Sequence, residues 1–130
     1  MICPVCKEDM LIIEYEHTEL DYCPSCEGIW LDAGELELLF ESPHKLLDLT
    51  SIKYSSKSKR RCPRCRMKMK VTRLPGSQVE VDFCPRDSGI WLDQGELLEI
   101  AQTETKNDNI KKVKKFLGNL FIEKTDQKEN

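Results

Sequence analysis

The pattern of apolar and polar positions runs through the same series of elements twice along the chain. Residues 10–16 and 69–74 are predicted strands, and residues 79–83 alternate apolar and polar side chains as a half-buried strand does. A helix is predicted to begin at each of the segments 32–35 and 93–96, where an aspartate and a glutamate three residues apart form a capping box. The apolar faces of these helices are formed by Leu36, Leu39 and Phe40 in the first and by Leu97, Leu98 and Ile100 in the second. The pattern therefore predicts, in each half of the chain, a hairpin followed by a short helix.

The order of elements repeats because the sequence itself repeats. The Cys-Pro-x-Cys motif at 3–6 recurs 59 positions later, and residues 23–36 recur 61 positions later with ten of fourteen positions identical. The second hairpin is therefore two residues longer than the first. We call the two units copy one (residues 1–42) and copy two (residues 62–101).

The composition is lean in apolar residues for a chain of 130 residues. Apolar residues make up 39% and charged residues 33%, so hydrophobic burial alone gives a marginal core, and cross-links or metal are expected. The cysteines number seven, an odd number that suits a disulfide framework poorly. The sequence has no signal-peptide pattern and no apolar stretch near the roughly 20 residues of a membrane span. These features predict a cytoplasmic protein whose thiols stay free for metal.

Two closely spaced ligand pairs in each copy predict a metal site. Zinc takes four ligands in a tetrahedron, and two short turns at one end of a hairpin supply all four. The predicted ligands are Cys3, Cys6, Cys23 and Cys26 in copy one, and Cys62, Cys65, Cys84 and Asp87 in copy two. His17 and His44 are assigned to the hairpin tip and to the linker, outside both sites. The sequence therefore predicts two zinc ions per chain.

Asp87 stands where copy one has a cysteine, and three interpretations follow. An aspartate oxygen is a known zinc ligand, and three thiolates with one carboxylate carry the same formal charge as four thiolates. Alternatively, water fills the fourth position and the zinc is catalytic, which makes the protein a metal-dependent enzyme. In the third case the site holds no metal, and Cys62, Cys65 and Cys84 are free thiols that act as a redox or zinc switch. The closed site, with Asp87 as a ligand, is our prediction.

The carboxylates within 32–35 and 93–96 also match a general acid–base pair. Capping of a helix N-terminus explains the same residues, because negative charge is favoured at that end of the helix dipole. The two segments supply no nucleophile, so we predict that the protein is not an enzyme. Trp30 and Trp91 are predicted to bury their rings against the hairpin and helix and not against a ligand.

Charge is segregated along the chain, although the net charge is only −3. Residues 1–52 contain twelve acidic and two basic residues, which gives −10, whereas residues 53–73 contain ten basic residues and no acid, which gives +10. The candidate nucleic-acid-binding residues in this basic segment are Lys57, Lys59, Arg60, Arg61, Arg64, Arg66, Lys68, Lys70 and Arg73. Such a stripe is typical of a phosphate-binding surface. The alternative is that it pairs with the acidic copy one, within the chain or across a homodimer.

Residues 43–61 and 102–130 lie outside the two copies. The first segment is predicted to be a linker whose polar and basic end, residues 55–61, is flexible. The second carries apolar residues at helical spacing opposite lysines, which predicts an amphipathic helix. Such a helix packs on the two copies, pairs with a second chain or lies on a membrane surface. The first two are favoured because an exposed apolar stripe is a liability in a monomer.

The order Cys-Pro-x-Cys, hairpin, then Cys-Pro-x-Cys-x-Gly-Ile-Trp-Leu-Asp-x-Gly-Glu-Leu resembles the motif of the transcription-factor-IIB-type zinc-finger family. The resemblance covers residues 1–41 and 60–101. It implies a zinc-ribbon fold and zinc ligation by the seven cysteines, with Asp87 departing from the family's fourth cysteine. It implies no specific activity.

These observations predict a small, metal-stabilised α+β protein. We expect two tandem zinc ribbons, each a β-hairpin with two cysteine turns followed by a short helix, and a C-terminal amphipathic helix. The predicted function is that of a non-enzymatic, zinc-binding adaptor or binding module, with nucleic-acid binding and a transcription-related role as the leading specific case. The expected partners are a protein or a nucleic acid contacted through residues 57–73, or a second copy contacted through complementary charge or the C-terminal helix.

Overall fold

The computed structural model describes residues 1–15, 18–39, 56–73, 78–103 and 115. The elements in chain order are β1 (Leu11–Tyr15), β2 (Thr18–Tyr22), β3 (Ile29–Leu31), α1 (Glu35–Leu39), β4 (Ser56–Arg61), β5 (Lys68–Arg73), β6 (Glu80–Phe83), β7 (Ile90–Leu92) and α2 (Glu96–Thr103). Each copy therefore has three strands and a short helix in the same order, and β4 precedes copy two.

All seven strands of the described residues belong to one antiparallel sheet with the order β1-β2-β3-β7-β6-β5-β4. Copy one contributes β1 to β3, copy two contributes β5 to β7, and β4 extends the sheet beyond β5. The copies meet where β3 pairs with β7, in a register that sets Trp30 directly opposite Trp91. The sheet is therefore continuous between the copies, and a pseudo-twofold axis passes between the two tryptophans.

One face of the sheet, the helix face, carries the larger apolar core. Alternate residues of the central strands point to this face, as the pleat of a strand requires. The core consists of Leu20, Tyr22, Ile29, Leu31, Leu36, Leu39, Val79, Val81, Phe83, Ile90, Leu92, Leu97, Ile100 and Ala101. At the helix starts, the main-chain N–H groups of Asp32 and Asp93 donate to the carboxylates of Glu35 and Glu96, as the capping boxes predict. Both copies contribute to this core, so neither helix covers a core of its own.

The opposite face, the tryptophan face, carries the two indole rings and the cysteines. Trp30 and Trp91 are fully buried there, among methionine and cysteine side chains of both copies. A Cβ atom on Gly28 would lie 2.1 Å from Trp91 Cζ2, and one on Gly89 would lie 2.1 Å from Trp30 Cζ2. Each ring therefore packs on the backbone of the other copy, a contact that the expectation of packing on hairpin and helix did not include.

The strands predicted at residues 10–16, 69–74 and 79–83 and the two predicted helix starts agree with the structure, whereas the expectation of a hairpin followed directly by a helix missed a third strand in each copy, β3 or β7. The end of the linker also differs from its prediction. Residues 56–61, predicted to be flexible, form β4. This segment has no apolar alternation, so its sequence pattern does not predict a strand. It is held by pairing with β5 and by contacts of Ser58 and Arg60 with Asp82. The prediction of a flexible segment is therefore wrong for these residues, because partners distant in the sequence order them.

The rest of the linker, both histidines and nearly all of the C-terminal tail lie outside the described residues. The predicted amphipathic helix and its pairing with a second chain belong to that part of the chain and stay predictions. Within the described residues, the helices are too short or too polar to span a membrane.

The packing of the indole rings predicts unequal costs for two glycine substitutions. Gly28→Ala places a methyl group into the ring of Trp91, whereas Gly34→Ala adds one where no atom lies within 4 Å. Gly34 has a φ of +85°, so its substitution should cost about 1 kcal/mol of backbone strain. We expect Gly28→Ala to lower the free energy of unfolding by about 2–3 kcal/mol, because an overpacked ring must move. Urea denaturation of the metal-loaded variants measures both, and equal losses would contradict this packing.

Candidate metal centres

Four tight turns present the candidate ligands, two in each copy, and all four have the same backbone. In each turn the residue after the second ligand donates its N–H to the carbonyl oxygen of the first ligand, at 2.8–3.0 Å. That residue has a positive φ in every turn: 64° at Lys7, 63° at Glu27, 69° at Arg66 and 64° at Ser88. The fourth turn, which holds Asp87, therefore folds as the three cysteine turns do.

Main-chain N–H groups in these turns point at the first sulfur of a ligand pair. Val5 and Cys6 donate to Cys3 Sγ at 3.3 Å, and Arg64 donates to Cys62 Sγ at 3.3 Å. Such hydrogen bonds stabilise a negatively charged sulfur, which is the form of cysteine that binds metal.

In copy one, the sulfur atoms of Cys3, Cys6, Cys23 and Cys26 all lie within 4.8 Å of one another. Cys3 Sγ and Cys26 Sγ are 3.7 Å apart. A tetrahedron with Zn–S bonds of about 2.3 Å has edges of about 3.8 Å. The spacing of these four sulfur atoms therefore fits a zinc ion.

In copy two, a carboxylate oxygen takes the place of the fourth sulfur, and the ligand atoms of Cys62, Cys65, Cys84 and Asp87 also lie within 4.8 Å of one another. Cys65 Sγ and Cys84 Sγ are 3.5 Å apart, and Cys62 Sγ donates to Asp87 Oδ2 at 3.1 Å. The other oxygen of Asp87 accepts the N–H of Gly89 at 3.0 Å. This hydrogen bond orients the carboxylate so that one oxygen faces the sulfur atoms.

Burial and hydrogen bonds act in opposite directions on the cysteine thiols of both groups. The first cysteine of each pair is fully buried, and its partner in the pair is half-buried. Burial raises the pKa of Cys62 and Cys84. At Cys23 burial acts in the same direction, but hydrogen bonds with the main chain of Cys26 and Ser25 and with the side chains of Cys26 and Cys3 together lower the pKa below its ordinary value. Four such groups become charged together only when a cation balances them, so the donor sets suit a divalent metal.

The carboxylates at the helix starts serve the fold. Asp32 Oδ1 accepts the indole N–H of Trp30 at 3.0 Å, and Asp93 Oδ1 accepts that of Trp91 at 3.1 Å. The glutamate of each motif caps its helix, and burial raises the pKa of Glu96 to about 7. These contacts favour helix capping, and not general acid–base chemistry, as the role of the carboxylates within 32–35 and 93–96.

Two arginines of the basic segment form ion pairs with acidic side chains near the sheet. The guanidinium of Arg64, in copy two, binds the carboxylate of Asp32, in copy one, and lowers its pKa. Arg60 Nη1 lies 2.7 Å from Asp93 Oδ2 and 3.3 Å from Asp82 Oδ2. The sequence left open whether the basic segment pairs with the acidic copy one. Arg64 does so, through its ion pair with Asp32. The role of Arg60 was not predicted, because no sequence pattern brings β4 beside Asp82 and Asp93.

The nine candidate nucleic-acid-binding residues divide into two sets. Ion pairs with described acidic residues engage Arg60, Arg64 and Arg73. The other six are exposed: Lys57, Lys59, Arg61, Arg66, Lys68 and Lys70. Arg64 and Arg73 of the first set are exposed as well, so the two sets differ in their ion pairs with described acidic residues and not in access to solvent.

A protein-family model described as Transcription factor zinc-finger matches residues 2–42 and 61–103. The chain belongs to this family. The two matched segments contain the two ligand groups, so this zinc-finger protein is a zinc-binding module with its zinc-ribbon unit in tandem. No curated protein and no solved structure matches the chain.

Proposed function

We propose that this zinc-finger protein is a non-enzymatic binding module in which two zinc ions stabilise one sheet and an exposed basic hairpin contacts the phosphates of a nucleic acid. The observation that carries the binding role is the cross-strand register of β4 and β5. A transcription-related role is the setting that the family description suggests. The cytoplasm is the proposed compartment, because its thiol-reducing conditions keep cysteines available for metal.

Asp87 is the fourth ligand of the copy-two zinc ion in this proposal. Its support is the position of Asp87 Oδ2, 3.1 Å from Cys62 Sγ, on a turn with the same backbone as the three cysteine turns. Three thiolates and one carboxylate give this site the formal charge of four thiolates. A shell closed by four protein ligands leaves no position for a catalytic water, which favours a structural zinc over an enzymatic one.

Like charges stand directly opposite each other in the β4–β5 hairpin. Lys57 is paired with Lys70, and Arg61 is paired with Lys68. All four side chains are exposed, and we call them the basic hairpin. Like charges directly opposite each other destabilise a sheet, and a polyanion bound across them would offset that cost. Phosphates of DNA or RNA are the polyanion that such lysines and arginines neutralise.

The pattern of ion pairs supports the same surface. Within the described part of the chain, the ion pairs of the basic segment involve Arg60, Arg64 and Arg73, whereas the basic hairpin makes none with a described acidic residue. Its charge is therefore not balanced by the acidic residues that the structure describes, which supports an external anionic partner. Copy one, with its −10 over residues 1–52, would repel a nucleic acid, so the contact should be confined to the β4 end of the sheet.

The copy-two site predicts how the zinc content responds to Asp87. Asp87→Ala should leave one tightly bound zinc ion per chain, because copy one keeps all four of its sulfur ligands. Loss of a ligand should weaken zinc binding in copy two by more than the about 10–100-fold that loss of an outer hydrogen-bond partner costs. Native mass spectrometry during titration with a chelator measures this, and Asp87→Cys is the control that should retain two zinc ions. Unchanged retention in Asp87→Ala would remove the aspartate from the shell.

The basic hairpin predicts a salt-dependent interaction with nucleic acid. Lys68→Glu combined with Lys70→Glu should weaken binding to a labelled DNA or RNA oligonucleotide at least about tenfold at low salt. The slope of log K against log salt should fall by about two for duplex DNA, because each lost phosphate contact removes about 0.9.

Arg86→Glu is the matched control for this double variant, since Arg86 is an exposed base of copy two outside the basic hairpin. Its affinity should stay close to that of the wild type. If the wild type binds no oligonucleotide at low salt, or the double variant binds as well as the control, the nucleic-acid role is wrong.

A further inference from the structure

Arg60 lies on the opposite face of the sheet from the basic hairpin. Lys70 is paired with Phe83, a residue of the helix-face core, so Lys70 and the rest of the basic hairpin point to the helix face. The guanidinium of Arg60 instead contacts Asp82, which is paired with Trp91 of the tryptophan face. Although Arg60 belongs to the same basic segment, its charge is therefore directed away from the four side chains that face a nucleic acid in the proposed function.

A register shift in β4 gives Arg60 this position. Between the two like-charged pairs of the basic hairpin, the β4 residues 58–60 lie opposite Met69 alone. Ser58 Oγ accepts the main-chain N–H of Arg60 at 3.0 Å and donates to Asp82 Oδ2 at 3.2 Å. Extra residues of this kind in a strand change the direction of a side chain. Here they leave the like-charged pairs in register on one face and place the guanidinium on the other.

Two carboxylates from other elements hold the guanidinium of Arg60. Its Nη1 atom lies 2.7 Å from both carboxylate oxygens of Asp93 and 3.3 Å from Asp82 Oδ2. Asp82 is only 9% exposed, and the side chain of Arg60 is 31% exposed. Hydrogen bonds between charged groups are stronger than those between neutral ones. These contacts attach β4, across β5, to β6 and to the capping box at the start of α2.

Asp93 extends this attachment to the junction between the copies. Its Oδ1 atom also accepts the indole N–H of Trp91 at 3.1 Å, and the ring of Trp91 packs on Gly28 of copy one. β4 has no apolar alternation, so polar contacts and pairing with β5 determine its place. Arg60 therefore connects the strand that supplies half of the basic hairpin with the tryptophans at the centre of the sheet.

We propose that Arg60 is a positioning residue for nucleic-acid binding, which holds β4 so that the basic hairpin keeps its register and which contacts no phosphate itself. This inference rests on the proposed function of the basic hairpin and adds a residue that acts on it from the other face. The like-charged pairs repel each other in the free protein, so the hairpin needs an attachment elsewhere. An arginine neutralised by two carboxylates supplies that attachment without adding to the repulsion.

Two other roles of Arg60 give different expectations. If Arg60 contacts a phosphate, its loss lowers the slope of log K against log salt by about 0.9 for duplex DNA. If Arg60 contributes only positive charge to the protein, its acidic neighbours oppose nucleic-acid binding, and removal of their charge strengthens it. Positioning instead gives an unchanged slope, and it gives weaker binding after loss of either the arginine or its acidic neighbour.

The test measures oligonucleotide affinity, its salt dependence and the hydrogen exchange of the β4 amides in the full, zinc-loaded chain. Arg60→Gln should speed exchange in β4 and weaken binding about fivefold or more, because only molecules with an ordered hairpin bind. Asp93→Asn should have the same two effects, although it removes a negative charge. For both variants the slope of log K against log salt should stay within about half a unit of the wild-type slope.

A double variant and a matched control separate the shared contact from other effects. Arg60→Gln combined with Asp93→Asn should bind as weakly as either single variant, because both changes break one contact. Glu99→Gln also removes one negative charge, at an exposed position on α2, and should neither speed exchange in β4 nor weaken binding. Zinc content is measured for every variant. Asp82→Asn, which leaves the start of α2 intact, repeats the test if Asp93→Asn loses zinc.

Three outcomes would overturn this inference and leave the proposed function standing. Unchanged exchange in β4 of Arg60→Gln would show that other contacts hold the strand. A slope lowered by about 0.9 would make Arg60 a phosphate ligand. Tighter binding by Asp93→Asn would show that charge alone matters. If the wild type binds no oligonucleotide, the proposed function itself is wrong, and the role of Arg60 in binding is wrong with it.

Discussion

β3 and β7 pair in a register that sets Trp30 opposite Trp91, and the rest of the structure depends on that contact. Each indole ring fills the space above a glycine of the other copy, so even a methyl group at Gly28 or Gly89 would collide with it. Both glycines directly follow metal-binding turns. The junction between the copies and the two candidate metal centres therefore share one buried cluster, in which each copy supplies its own ligands and the indole rings of both copies pack beside them.

The two faces of the sheet divide the work of stabilisation. The helix face buries one apolar core that both copies build. Sharing this core lets a chain with only 39% apolar residues form a larger core than either copy would alone. The tryptophan face uses cysteine turns, and there the zinc ions proposed for the two centres replace the apolar volume that a larger domain would supply. The ion pair of Arg64 with Asp32 also links the copies, but both side chains are partly exposed, so it adds about 1 kcal/mol or less.

The features that depend on local sequence were predictable, and the features that depend on the contact between copies were not. The turn motifs, the hairpins and the capping boxes follow from residue types at fixed spacing, which is why the sequence alone predicts Asp87 in the second ligand group. β4 was missed because Ser56 to Arg61 has no apolar alternation, and only pairing with β5 and contact with Asp82 make it a strand. A repeat likewise does not show whether its units touch, so the crossing of the indole rings had no sequence signal.

The strand order places the acidic and the basic parts of the chain at different ends of the sheet. Among the described strands, β1 of the acidic copy and β4 of the basic segment form the opposite ends of the sheet, so the proposed nucleic-acid-binding surface lies at the end away from the acidic copy. This surface depends on a sheet that zinc is proposed to stabilise at two centres.

The most direct test is the addition of zinc to the metal-free chain, followed by near-ultraviolet circular dichroism of the tryptophans and by native mass spectrometry. The account predicts that the native tryptophan signal is complete only at two zinc ions per chain, because each indole ring rests on a turn of the other copy's centre. A signal complete at one zinc ion, or already present without zinc, would contradict it.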